Sequence, residues 1–334
     1  MIIFDFHPFF DAMKENTVSQ NVQATSPNTQ LPHVLVGKVA DYVRKGLEGS
    51  DNTQRAYRSD VYYFIEWCRE NGQSEFPATT PTLSAYVSHL ADTHKWASIN
   101  RKLAAIRKLH ELNNVELPTN DRGFKAVMEG IKRTKGIRQK QAPAFQMNEL
   151  KKVLRTMETE THAGMRDKSL ILLGFAGAYR RSELVDLNIE NVEFNEDGAI
   201  ITLTKSKTNQ YGEAEEKAFF YSPEASLCPI RNLKNWIMRL ERTTGPLFVR
   251  VRKGDRLTTD RLNDMTVYTT VKKYLGEKYS AHSLRASFIT IAKINGANDS
   301  EIMRQSKHKT SLMIQRYTRI EDIKKHNAAT KLGL

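Results

Sequence analysis

An apolar stretch closes on two arginines and an acid in Ala178-Tyr179-Arg180-Arg181-Ser182-Glu183-Leu184, with Glu183 three residues after Arg180. Lys207 stands in Ser206-Lys207-Thr208-Asn209, just past the β-branched run AIITLT. His282 and Arg285 lie three apart at the start of a predicted helix, a spacing that puts them on one face. His308 precedes Tyr317 by nine residues in HKTSLMIQRY. Guanidinium, ammonium and imidazole groups are the side chains that hold phosphate oxygens, and a phenol can attack as a nucleophile. Taken singly, each pattern has an ordinary structural reading: Arg180 as a cation on a helix end, Lys207 as a solvated hairpin lysine, Tyr317 as packing. The order and spacing of the four together are what is informative.

The elements that must position these groups follow from length and composition. A chain of 334 residues with 40% hydrophobic and 27% charged residues has material for one large domain or two ordinary ones. Two cysteines, Cys68 and Cys228, are too few for a disulfide framework, so a reducing compartment is expected. The longest apolar run, 170–178, is half of what a membrane helix needs, which predicts a soluble, cytoplasmic protein. Lys plus Arg less Asp plus Glu is 51 − 38 = +13, a surplus that favours a polyanion, nucleic acid before membrane.

Residues 1–32 lack periodicity and read as a loosely ordered arm, without the pattern of a secretory signal. From 33 to 133 apolar stripes recur at helical spacing. Tyr57, Val61, Phe64, Ile65 and Cys68 form one, on a helix capped by Asp51 or Asn52. Leu83, Tyr86, Val87 and Leu90 form a second, and Ile99, Leu103, Ile106 and His110 a third. A bundle of four or five helices is expected. Residues 131–140, IKRTKGIRQK, hold five basic residues and no acid ahead of Pro143, and a basic interdomain linker is placed at 134–145. Beyond it, 146–334 alternates helical stripes (Met147, Leu150, Leu154, Met157) with a β-rich patch of about three strands near 191–194, 199–204 and 217–221. Helices are predicted at 226–241, 258–275, 283–295, 298–305 and 311–329. The fold class is therefore mainly α: a helical bundle followed by a mixed α+β domain with a small three-stranded antiparallel sheet.

The four patterns in this order resemble the tyrosine site-specific recombinases, the phage integrase family, whose motif is R-x-S-E-L, a hairpin Lys, H-x-L-R, and a His or Trp followed nine residues on by Tyr. Arg180 with Glu183, Lys207, His282 with Arg285, His308 and Tyr317 occupy those positions. The stretch 66–90 and the segment 133–145 are similar to Cre-like members. Two departures stand out: Lys307 replaces the family's usual Gly, and His308 stands where Cre-like members carry Trp.

The resemblance implies a two-domain clamp on duplex DNA, with a SAM-like core-binding domain at 33–133, a catalytic domain at 146–334 and an exchange helix at about 319–334. It implies strand cleavage and rejoining through a 3′-phosphotyrosyl intermediate and a Holliday junction, on inverted-repeat sites, by a homotetramer that is monomeric or weakly associated without DNA. Tyr317 would be the nucleophile, Arg180 and Arg285 the clamp on the phosphate oxygens, and His282 the general base. His308 would support the phosphate, Lys207 would protonate the leaving 5′ oxygen, and Glu183 would orient Arg180 or the histidine. No cofactor, metal or ATP is implied, since side chains supply the charge. Thr53, Arg55, Arg58, Ser98, Arg101, Lys102, Lys132, Arg133 and Lys135 are candidate DNA contacts. A type IB topoisomerase-like enzyme and a binding-only DNA regulator remain as alternatives.

Overall fold

The computed structural model describes residues 51–137, 141–203 and 215–314. The chain divides into two compact units, 1–139 and 140–334.

In the first unit the described helices are α1 (Asp51–Glu70), α2 (Thr80–Thr93), α3 (Trp96–Leu112) and α4 (Arg122–Lys135). Asp51 and Asn52 are already helical, so neither is the cap expected of it. α2 starts where Thr79 Oγ1 accepts from the Thr82 amide, with Pro at its first turn. α4 starts where the Asp121 carboxylate accepts from Phe124 N at 2.9 Å, and it ends at Gly136, whose φ of 65° suits the absence of a Cβ. The helix runs two residues past the expected domain end, so Thr134 and Lys135 belong to α4 and not to a linker. α1 packs on α3 and α2 on α4, because each apolar stripe must be covered by another. Phe64, Leu83, Val87, Ile99 and Ile106 are fully enclosed in the resulting core.

The second unit is built around α6 (His162–Ala176), which follows α5 (Met147–Thr156). Leu170, Ile171, Leu172 and Leu173 of α6 are all buried, as expected of a helix apolar on every side. Gly174 allows this closeness: a Cβ there would sit 3.0 Å from Leu284 and 3.1 Å from Leu184. After the short α7 (Arg181–Asp186) come β1 (Val192–Phe194), β2 (Gly198–Leu203) and β3 (Glu215–Phe220), an antiparallel sheet in the order β1-β2-β3. α8 (Pro229–Arg239) covers α6 and buries Trp236, whose indole donates to Leu247 O at 2.8 Å.

A second, two-stranded sheet follows, β4 (Val249–Arg252) and β5 (Arg256–Arg261), where a helix from 258 was expected. The alternation in VRVR and the Thr258-Thr259 pair suit a strand, and Gly254 and Asp255, both at positive φ, make the turn between the two. The helix begins only at α9 (Asp264–Leu275), capped by Asn263. α10 (Ala281–Ile294) packs on α6, and α11 (Asp299–Ser306) packs on α10. α11 opens with a reciprocal pair in which Asn298 accepts from Glu301 N and Glu301 accepts from Asn298 N. Residues 311–314 are helical, and the remainder of the expected helix 311–329 lies outside the described residues, as do the arm 1–32 and the helix 319–334. Among the described residues no helix is long and apolar enough to cross a membrane.

Candidate active site

A helix ends with unpaired carbonyls, and the end of α6 shows where they go. The Ala176 carbonyl accepts from Gln305 Nε2 at 3.1 Å, Gly177 O from Lys217 Nζ at 2.5 Å, and Ala178 O from Arg285 Nη1 at 2.7 Å. Ala178 holds a φ of 47°, left-handed without being glycine, and turns the chain sharply. Gly177 is required beside it: a Cβ would lie 2.3 Å from the Tyr179 ring and 2.9 Å from Phe219.

The turn delivers Arg180 in extended conformation at the start of α7. Glu183, only 4% exposed, accepts from the Arg180 amide at 2.9 Å and pairs with Arg180 Nη1. Burial pushes the Glu183 carboxyl up, but the Arg180 charge and hydrogen bonds outweigh it and hold the group below the ordinary carboxylate range. The acid is therefore ionised and fixes the guanidinium.

Arg285, on the first turns of α10, is buried to 1% exposure. Its Nη2 lies 3.2 Å from both ring nitrogens of His308, and Ser306 Oγ is 2.8 Å from His308 Nδ1. A guanidinium only donates, so the ring that faces it is neutral. Burial, then Arg285, Arg180, His282 and Lys217, drive the His308 pKa down to about 3. Lys307 presents this ring from a left-handed conformation, φ 55° and ψ 38°, with its amide on Met303 O. The chain thus makes with lysine the turn for which the family motif carries glycine. His282 keeps access to solvent, yet desolvation by its dense surroundings, followed by Arg285 and Arg180, lowers its pKa too.

Arg180, Glu183, Arg285 and His308 are thus brought together, with His282 near enough to feel both guanidiniums. Lys207 and Tyr317 lie outside the described residues. An open depression of about 440 Å³ adjoins His308, lined by Arg304, Lys307 and Lys309 with Glu215 as its one acid among the described residues, so the charged groups that continue outward from the cluster are mostly cationic. Two contributors were not picked out from sequence: Gln305 and Lys217. Lys217 is 1% exposed, and burial, with Arg285, Lys307 and Arg180 opposing the help of Glu183, lowers its pKa to about 7. Strand alternation was the available clue, since Lys217 and Phe219 share the inward face of β3.

The proposed DNA contacts fare unevenly. Arg55, Arg58, Lys132, Arg133 and Lys135 are exposed, and Thr53 and Ser98 are half-buried. Lys132 and Arg133 reach Glu129, and Arg101 is exposed but paired with Asp60 at 3.2 Å. Lys102 is a correction. It is buried, 3.2 Å from the buried Asp60 and over the Tyr63 ring, so its cation is spent inside the first unit and not on a DNA surface.

The profile described as Phage integrase family matches residues 143–323, and that described as Phage integrase, N-terminal SAM-like domain matches 40–113. An integrase/recombinase XerD homolog of Selenomonas ruminantium is 35% identical over 292 residues, covering 85% of this chain and 86% of that protein. Among solved structures, the XerH site-specific recombinase bound to palindromic difH substrate in a post-cleavage complex superposes with a TM-score of 0.61 at 17% identity, over 95% of this chain and 94% of that one. A lambda integrase tetramer bound to a Holliday junction gives 0.52 at 15% identity, over 95% and 88%. These two likenesses are of fold.

Proposed function

Because the chain belongs to the phage integrase family and is a tyrosine recombinase, an enzyme that transesterifies DNA strands, we propose that it cuts and rejoins duplex DNA at a specific site through Tyr317. The observation that carries this reading is the convergence of Arg180, on its Glu183 anchor, with Arg285 and His308, three cationic or donor groups from α7, α10 and the turn after α11. Such a set fits an anionic phosphorus centre.

The Tyr317 oxygen forms a bond to the scissile phosphorus as the bond to the 5′ oxygen breaks, leaving a 3′-phosphotyrosyl ester. His282, whose lowered pKa keeps it unprotonated at neutral pH, takes the phenolic proton. The 5′ oxygen leaves with a proton from Lys207. Arg180, Arg285 and the neutral His308 donate to the non-bridging oxygens, whose charge grows in the transition state. A second strand's 5′ hydroxyl attacks the ester and reverses these steps, so the bond energy is conserved without ATP. The charge is supplied by side chains, and activity should persist in chelator.

In this reading both units engage the duplex, Arg55, Arg58, Lys132, Arg133 and Lys135 meet phosphates, and four copies act on two inverted-repeat sites through a Holliday junction, as the tetrameric lambda integrase complex suggests. If about 8 to 10 phosphates are neutralised, affinity falls by orders of magnitude from low to moderate salt. Removing 319–334 should abolish pairing of sites and leave binding by single copies.

The test uses a cleaved site selected from a random inverted-repeat library. Tyr317→Phe should bind it and give no covalent adduct on a denaturing gel, while the native chain gives an adduct whose DNA-bearing peptide contains Tyr317. An adduct formed by the variant overturns the assignment. Relaxation of plasmid lacking the site would instead indicate a topoisomerase.

A further inference from the structure

A lysine amine out of water is costly, and a side chain such as Met would fill the same space without that cost. Lys217 nevertheless occupies an inward position of β3, paired in register with Ile201 of β2. Its Nζ lies 2.5 Å from the Gly177 carbonyl and 4.3 Å from the centre of the Tyr179 ring, which is itself stacked on Phe219. The neighbouring carbonyls on either side are held by Gln305 of α11 and Arg285 of α10. Three elements therefore grip three successive carbonyls, and the central grip is the lysine's. The residue between Gly177 and Tyr179 is the left-handed Ala178, a conformation that persists only when its surroundings enforce it.

We propose that Lys217 is a positioning residue for strand cleavage: from β3 it holds the Gly177 carbonyl, fixing the turn that aims Arg180 and receives Arg285. The proposal rests on the reading of Arg180 and Arg285 as the phosphate clamp. Lys217 touches neither substrate nor the reacting atoms; it acts through the backbone of 177–179. Without it the Ala178 turn is free to relax, Arg180 shifts on its Glu183 anchor, and the two guanidiniums no longer match the phosphate oxygens. Misplacement of such groups by about 1 Å costs on the order of 10²-fold in rate.

The experiment measures single-turnover cleavage and DNA affinity of the full chain on the selected site, for Lys217→Met in the native and in the Arg180→Ala background. The expected result is a rate loss of about 10²-fold in the native background with Kd within about threefold, and a smaller further loss of at most about tenfold, carried by Arg285, where Arg180 is already absent. Lys217→Arg, which keeps a cationic donor, should recover part of the rate. Unchanged cleavage by Lys217→Met overturns the proposal, and so does an equal loss in both backgrounds, which would mean that Lys217 works independently of Arg180. If Lys217→Met does not fold, Lys217→Gln carries the same comparison, because it retains a donor for Gly177 without the charge. The native chain is the control that separates the two readings: an adduct formed by native and Lys217→Met chains alike refutes only the positioning role, whereas no Tyr317 adduct in the native chain refutes the functional reading beneath it.

Discussion

Two buried polar clusters, one in each unit, are balanced in opposite ways. In the first, Lys102 lies against Asp60, and His110 places Nδ1 2.9 Å from Ile106 O and Nε2 2.9 Å from the Ala78 amide. In the second, Arg180, Arg285, Lys217 and His308 crowd together and the carboxylate that faces them is Glu183. Burial first, and after it the neighbouring cations, lowers the pKa values of His308, His282 and Lys217. Where buried polar groups are matched, they hold the fold. Where they are left in excess, they wait for an anion.

The comparison can be broken at several points. Asp60→Ala leaves Lys102 buried without its carboxylate and should cost about 3–5 kcal/mol of stability in denaturant melts, with the cleavage rate of bound, folded enzyme untouched. Arg180→Ala in the second unit should lower cleavage on the order of 10²–10³-fold at a smaller stability cost than Asp60→Ala, because the Arg180 amide and the Lys217 charge still face Glu183. A large stability loss there would mean that the cluster serves the fold after all.

His110 sharpens the contrast through pH. Burial lowers its pKa from 6.5, the bond to Ile106 opposing, so the unfolded chain takes up a proton that the folded chain refuses. Stability from this group is complete above pH 6.5 and declines as pH falls toward the folded pKa. The protection factors of the α3 amides in the full chain, exchange rates corrected for the intrinsic pH dependence, should therefore fall between about pH 7.5 and 5.5. In His110→Leu that pH response should flatten, and the unpaired Ala78 amide should cost about 1–3 kcal/mol. A pH response retained by the variant would place its origin elsewhere. The smallest effect is expected at Lys307, where Gly relieves a left-handed backbone: Lys307→Gly should stabilise by up to about 1 kcal/mol in thermal melts, and a loss would show that the lysine side chain, not the turn, matters there.

Much of this was legible in the sequence because it rests on periodicity. The stripes on α1, α2 and α3 and the β1–β3 alternation are local patterns, and the order of Arg180, Glu183, His282, Arg285 and His308 is a linear motif. What escaped depends on tertiary contact. The β4–β5 hairpin was hidden by its polar, arginine-rich outer face. Lys102 read as a surface cation because its partner, Asp60, lies on another helix. Lys217 and Gln305 gain their roles only when β3 and α11 meet the end of α6.

The central claim is that the excess cations act on the charge of the scissile phosphate. The most direct measurement compares native enzyme and Arg180→Ala on the selected site with either a normal phosphodiester or an uncharged methylphosphonate at the scissile position. The account predicts that the loss on the order of 10²–10³-fold seen with the phosphodiester largely disappears with the methylphosphonate, because the charge that Arg180 answers is gone. An equal loss on both substrates would contradict it.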